Sequence, residues 1–153
     1  VMIIAIVIIL MVLLDQLVKY WALIKLSAIG TIPLIDGVFH LTYVENRGAA
    51  FGILQDQRWL FLVMTPIILA VLAYVLHKKY IRTKLGRVSV YLIAAGAVGN
   101  LIDRAWHGFV VDLFDFRLIH FPVFNVADIY VVIGVALFFY YYLIQHDKVV
   151  PHE

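Results

Sequence analysis

The sequence predicts an all-α polytopic membrane protein: four transmembrane helices with a small extracytoplasmic β-hairpin or cradle and an interfacial helix. Three observations predict it. Of the 153 residues, 65% are hydrophobic and only 14% charged, more apolar surface than a soluble domain can hide. The apolar residues gather into four stretches, each long enough to cross about 30 Å of hydrocarbon. The segment between the first two stretches carries strand and turn signals instead. The length fits one domain over 1–153.

The spans are expected at about 3–24, 59–76, 88–106 and 128–144. The first is read as a retained helix and not a cleaved signal peptide. It has no basic leading region and no small-residue cleavage site, and it carries Asp15 and Lys19. A start at Val1 leaves room for a short native leader before it. After it, Thr31–Ile35 and Val38–Val44 flank the turn pair Asp36-Gly37 and read as two strands. Gly48, in Asn46-Arg-Gly-Ala-Ala-Phe51, is free to take positive φ. Phe51, Ile53, Leu54 and Trp59 predict a segment lying in the headgroup region.

Charge orients the spans. The connection 77–87 carries five Lys or Arg; 25–58 carries three, and 107–127 only Arg117. The dense short loop is therefore expected in the cytoplasm, with both termini, and the longer connections outside. Trp21, Trp59 and Trp106 then fall at the outer ends as an interfacial belt, with Tyr140, Tyr141 and Tyr142 near the inner end of the last span.

The polar residues converge on that outer face. Asp15 and Lys19 are four apart on one helix face and can pair. Asn100, Asp103 and Arg104 end the third span, Asp128 opens the fourth, and Asn46 and Arg47 sit on the outer loop. Ionisable groups inside a membrane are costly, so such a convergence marks a site. Each residue also has a plainer reading. Asp15–Lys19 is a structural pair; Arg104 reaches a lipid phosphate, Asp15 or a loop carbonyl; Asn46, Asn100 and Asn125 are caps or turn residues. Asp128 is an N-cap, where a carboxylate suits the helix dipole. Asp112 and Asp115 share a loop, and pattern alone does not choose between them. A carboxylate from that loop beside Asp128 could share one proton and activate water.

Other chemistries fit less well. The chain has no cysteine, which removes disulfides and thiolate catalysis. The histidines, His40, His77, His107, His120, His146 and His152, have no metal-binding spacing, and Ser27 and Ser89 sit in no nucleophile motif. A net charge of +2 with no nucleic-acid module sets that partner class aside. A small transporter or an assembly subunit remains as an alternative to an enzyme, although no inverted repeat is visible.

Five segments in order carry a family resemblance: Asp15-Gln-Leu-Val-Lys19, Glu45-Asn-Arg-Gly-Ala-Ala-Phe51, Ala95-Gly-Ala-Val-Gly-Asn-Leu-Ile-Asp-Arg104, Val110-Val-Asp112 and Phe121-Pro-Val-Phe-Asn-Val-Ala-Asp128. Over almost the whole chain the sequence resembles the bacterial lipoprotein signal peptidases, the type II signal peptidases. The resemblance implies an intramembrane aspartic endopeptidase that needs no cofactor or metal. Its implied substrates are diacylglyceryl-modified prolipoproteins, cut N-terminal to the lipid-bearing cysteine. It implies a multi-pass protein of the bacterial cytoplasmic (inner) membrane, active near the outer face; a monomer among membrane lipids is the expected state, which the sequence itself does not fix. It matches the catalytic pair to Asp112 and Asp128, and so prefers Asp112 over Asp115. It matches supporting positions to Asp15, Lys19, Asn46, Asn100, Asp103, Arg104 and Asn125, with Arg47 and Gly48 in the same loop motif. Ile129 departs from the serine that many members carry after the second aspartate.

Overall fold

The computed structural model describes residues 2–49 and 53–145. Helix α1 (Met2–Trp21) continues through a π-helical segment, Ala22–Leu26, into a last turn, Ser27–Ile29. Strands β1 (Thr31–Ile35) and β2 (Phe39–Asn46) follow, then α2 (Arg58–His77) and α3 (Lys84–Trp106). Strand β3 (Val110–Phe116) precedes α4 (Val126–Tyr140), which passes into a π-helical end, Tyr141–Gln145. Among the described residues, four helices are long and apolar enough to span a membrane: Ile3–Ile29, Arg58–His77, Lys84–Trp106 and Val126–Ile144.

The bundle is built inside out, as a lipid solvent requires. Large apolar side chains such as Ile9, Leu17, Val63 and Val132 face outward, while the interior is assembled from small and polar residues. Helix α3 touches each of the other three and buries Gly86, Ser89, Ala95, Gly96 and Gly99. Small side chains let backbones approach closely where lipid supplies no hydrophobic drive between helices. At Gly99 the approach reaches a buried carboxylate: a Cβ there would lie 2.5 Å from Asp15 Oδ2.

The three strands form one antiparallel sheet in the order β1-β2-β3, over the end of the bundle where α1 and α3 finish and α2 and α4 begin. Trp21, Trp59 and Trp106 stand at that end, 40%, 75% and 84% exposed, as an interfacial belt does. Gly37 takes the turn between β1 and β2 at φ 67°. Val111 and Leu113 of β3 bury against Ala22 and Leu26 of the π-helical segment. The first span runs on to Ile29 and not only to 24, with Ala22 and Leu26 of its π-helical segment buried beneath the sheet.

Three expectations are corrected. The hairpin has a third strand, β3. Its residues were read as a loop because Gly108-Phe-Val-Val-Asp112 lacks alternation: both its faces are buried, one on α1 and one on the cleft. Among the described residues of that segment, a turn, 53–56, stands where an interfacial helix was expected, with Leu54 and Asp56 at φ 57° and 60°; Phe51 lies outside the described residues. Gly48 is not among the residues at positive φ. Glycine is needed there for space, since a Cβ would lie 2.6 Å from the Ile53 carbonyl oxygen and 2.9 Å from the Gln55 side chain.

Candidate active site

A cavity of about 680 Å³ opens where the sheet meets α3 and α4, and both Asp112 and Asp128 line it. Asp112 lies on β3 opposite Val44 of β2, beside a bulge between Leu41 and Val44. A bulge bends a strand and re-aims its side chains. Asp112 is 1% exposed. Its Oδ1 accepts from Asn125 Nδ2 at 2.6 Å and its Oδ2 from Asn46 Nδ2 at 3.0 Å.

Asp128 is held by the start of α4. The N-cap is Asn125, not Asp128: Asn125 Oδ1 accepts from the Asp128 amide at 2.9 Å, while Asp128 Oδ2 accepts from the Asn125 amide at 3.2 Å. This reciprocal capping box satisfies two orphan helix donors and fixes the Asp128 carboxylate. Its other oxygen, Oδ1, accepts from Asn100 Nδ2 at 2.8 Å. The capping and chemical readings of Asp128 are therefore compatible. Asn125 caps one carboxylate's helix and donates to the other carboxylate, so it fixes their relative placement.

Beneath the carboxylates lies a buried ionic cluster. Lys19 Nζ contacts Asp15 Oδ2 at 2.9 Å, Asp103 Oδ2 at 3.4 Å and Asn100 Oδ1 at 2.8 Å. The ammonium's three donors thus meet three acceptors. Asp15 Oδ1 also accepts from the Ala127 amide at 2.8 Å, and Asp103 Oδ2 from the Val111 amide at 2.9 Å. Those amides belong to the residues just before Asp128 and Asp112. One lysine with two carboxylates therefore clamps the backbone at both acids. Gln16 joins them, its Nε2 donating to Asp103 Oδ1 at 3.0 Å and the Gly99 carbonyl at 3.1 Å. Sequence reasoning passed over Gln16. Its signal was available: a polar residue beside Asp15 within an apolar span.

Adjacent residues Asp103 and Arg104 diverge as their helix positions require. Arg104 stacks on Phe61, 4.3 Å from the ring centroid, and Arg104 Nη2 donates to the Gly48 carbonyl at 2.7 Å. The loop carbonyl expected as one of its partners is found. The Gly48 amide donates to Asn46 Oδ1 at 3.0 Å, so the loop is tied through Asn46 to Asp112. Arg47 is not brought to the carboxylates. It pairs with Glu45 at 3.0 Å and lies over Phe109.

Asp115 is separated from Asp112 by strand geometry. Residues three apart on a strand face opposite sides, and Asp115 Oδ2 instead accepts from Thr42 Oγ1 at 2.7 Å and Arg117 Nε at 2.8 Å. Their electrostatics differ too. Burial, then the Asp128 charge, pushes the Asp112 carboxyl up to about 7, against the bonds from Asn46 and Asn125 and the charge of Lys19. For Asp115 the smaller burial effect is outweighed by its bonds from Arg117 and Thr42, which hold it below the usual carboxylate value. Among the described residues no group of three His, Cys, Asp or Glu is placed to hold a metal ion; His146 and His152 lie outside them.

The family model described as signal peptidase (SPase) II matches residues 7–144. The chain belongs to the signal peptidase II family. It is 51% identical to a lipoprotein signal peptidase of Clostridioides difficile, over 93% of this chain and 95% of that one. It is 49% identical to one of Halothermothrix orenii, over 94% and 97%. Two solved structures described as a bacterial membrane enzyme, at 2.3 and 1.9 Å resolution, are each 33% identical. Their TM-scores are 0.88, covering 100% of this chain and 94% of that one, and 0.84, covering 95% of both. As a member of the signal peptidase II family, the chain is a membrane-embedded peptidase.

The family member's close packing gives one prediction. Gly99→Ala places a methyl group against Asp15 and forces the clamp apart. The expected cost is about 1–3 kcal/mol, read as a lower unfolding midpoint in micelles. An unchanged midpoint would mean that α1 and α3 are less tightly packed at Gly99.

Proposed function

We propose that this chain is an aspartic endopeptidase, with Asp112 and Asp128 as its catalytic pair. It removes the signal peptide from diacylglyceryl-modified prolipoproteins, cutting N-terminal to the lipid-bearing cysteine. One observation carries the mechanism: carboxylates from β3 and α4 line one cavity, where burial and the neighbouring Asp128 charge favour the protonated form of Asp112.

Family membership and relatives named as lipoprotein signal peptidases support the substrate class. The cavity supports it as well. Beside the carboxylates it is walled by Phe121, Val131, Val132 and Ile133, an apolar surface suited to acyl chains and an apolar signal sequence. The ionised carboxylate takes a proton from water as that water attacks the scissile carbonyl. The protonated one donates to the carbonyl oxygen and then helps the amine leave. The pair titrates as a unit, so the two roles belong to the dyad and not to either residue. No metal enters this scheme. All of its groups come from one chain, in keeping with a monomer among membrane lipids.

The test is turnover. Purified protein with a diacylglyceryl-modified prolipoprotein is expected to release the signal peptide at a rate that EDTA leaves unchanged. Loss of activity in EDTA, with recovery on adding zinc, would refute the two-carboxylate scheme.

The proposal places the cavity at the outer face of the bacterial cytoplasmic membrane, with both termini inside, on the strength of the basic connection 77–87. The chain has no native cysteine, so single cysteines report cleanly. Asp36→Cys, whose native side chain is 98% exposed, is expected to react with an impermeant reagent on intact cells. Lys84→Cys, at the other end of the bundle, is expected to react only after permeabilisation. The reverse pattern would overturn the orientation.

A further inference from the structure

At the end of the bundle remote from the sheet, the turn from α2 into α3 encloses a second cavity of about 300 Å³. Its rim carries Lys79, Arg82 and Arg87, and its remaining lining is Leu76, Ile81 and Tyr91. None of the three cations has a carboxylate partner among the described residues. The sequence explains this, because residues 57–102 contain no Asp or Glu. The local field is therefore uncompensated, and the start of α3 adds the positive end of a helix dipole. The elbow is a built feature and not a frayed loop. Ile81 is 7% exposed and packs with Val90 and Tyr141. Lys79 sits at φ 56°, a conformation costly for a side-chain-bearing residue unless its surroundings hold it.

We propose that this elbow binds the phosphate headgroup of an anionic phospholipid. Three observations choose lipid over a soluble anion. The cavity lies where two spanning helices end, at headgroup level. Tyr74 and Tyr80 pack together beside it, ring centroids 6.3 Å apart, with Lys78 over Tyr74, an aromatic anchor of the membrane boundary. The basic rim opens onto an apolar floor of Leu76 and Ile81, which suits a phosphodiester whose glycerol and acyl chains continue along the helices. A fully hydrated phosphate gains nothing from that floor. Basic pockets between spanning helices bind lipid headgroups by this combination of charge and apolar contact.

The test uses the full-length protein in micelles, with bound lipid counted by native mass spectrometry. Phosphatidylglycerol is expected to be retained at least about tenfold better than phosphatidylcholine, given three cations near one phosphate. The triple variant Lys79→Gln, Arg82→Gln, Arg87→Gln is expected to lose that preference. The control pair Lys25→Gln, Arg117→Gln is expected to keep it. If the triple variant does not fold, Arg82→Glu alone, on the exposed rim, is expected to cut the preference several-fold. Equal retention of both lipids, or a preference unmoved by Arg82→Glu, would overturn the proposal. Displacement of phosphatidylglycerol by millimolar inorganic phosphate would overturn the lipid assignment in favour of a soluble phosphate site. Prolipoprotein cleavage by the triple variant is measured in parallel. Its loss would report a folding defect, whereas the lipid readout stands apart from the peptidase mechanism.

Discussion

Asp112→Asn and Asp128→Asn are each expected to lower prolipoprotein cleavage by a factor on the order of 10²–10⁴ or more, the usual contribution of a positioned acid or base. In the proposed scheme the two carboxylates act as one unit, so the double variant is expected to be little worse than either single one. Both replacements keep the side-chain size, and helicity and extraction yield are expected to hold. Asp115→Asn is the control. Its carboxylate serves Thr42 and Arg117, and most activity is expected to survive. A cleaving Asp112→Asn protein alongside an inert Asp115→Asn protein would sink the assignment.

The same site predicts the pH response. Cleavage is expected to follow a bell, falling when both carboxyls are protonated and again when both are ionised. With Asp112 held at about 7, the basic limb is expected near neutrality, far above a free carboxylate. Stability follows from the sign of the shift. Asp112 is raised from an ordinary 3.8, so between those values the folded state binds more protons than the unfolded one. The Asp112 contribution to stability is then full below about 4 and is lost as pH rises through about 7. Asp112→Asn is expected to flatten that part of the stability profile, measured by thermal unfolding from pH 4 to 8. An equally steep loss in the variant would show that Asp112 is not the titrating group.

The sequence reading succeeded where a single physical signal dominates. Span positions follow from hydropathy, the Asp15–Lys19 pair from helical spacing, and the divergence of Asp103 and Arg104 from adjacency on a helix. It failed where tertiary contact sets local structure. Strand β3 is buried on both faces and shows no alternation, so Asp112 and Asp115 read as two acids in one loop. Once β3 exists, the twofold period of a strand puts them on opposite faces, and Asp112, unlike Asp115, lines the cavity with Asp128. Gly48 was assigned a conformational role, yet its constraint is the Gln55 side chain and Ile53 carbonyl packed against it, neighbours that no local pattern specifies. Asn125 was read as a cap or turn residue, and it is a cap; its second bond, to Asp112, depends on a strand that hydropathy did not reveal.

Lys19→Met is expected to be among the most destabilising single changes in the chain. Lys19 is 2% exposed, with Asp15 and Asp103 as its ion-pair partners. Removing one partner of a buried pair leaves uncompensated charge and costs about 3–5 kcal/mol. Here one ammonium faces two carboxylates, so both lose their counter-ion. The damage is also expected to reach the chemistry, because Asp15 and Asp103 hold the Ala127 and Val111 amides. When those carboxylates take up protons or repel each other, the backbone preceding Asp128 and Asp112 shifts. A neutralising second change separates the two effects. Lys19→Met with Asp15→Asn is expected to regain part of the lost stability, because fewer unpaired charges are buried. Activity is not expected to return with it, since the contacts of Lys19 to Asn100 and Asp103 stay lost. Unfolding midpoints and cleavage rates of the two single variants and the double variant decide the matter. If Lys19→Met unfolds at the native midpoint, the buried cluster does not hold the site. If the double variant recovers full activity, the cluster acts through charge balance and not through the bonds that Lys19 itself makes.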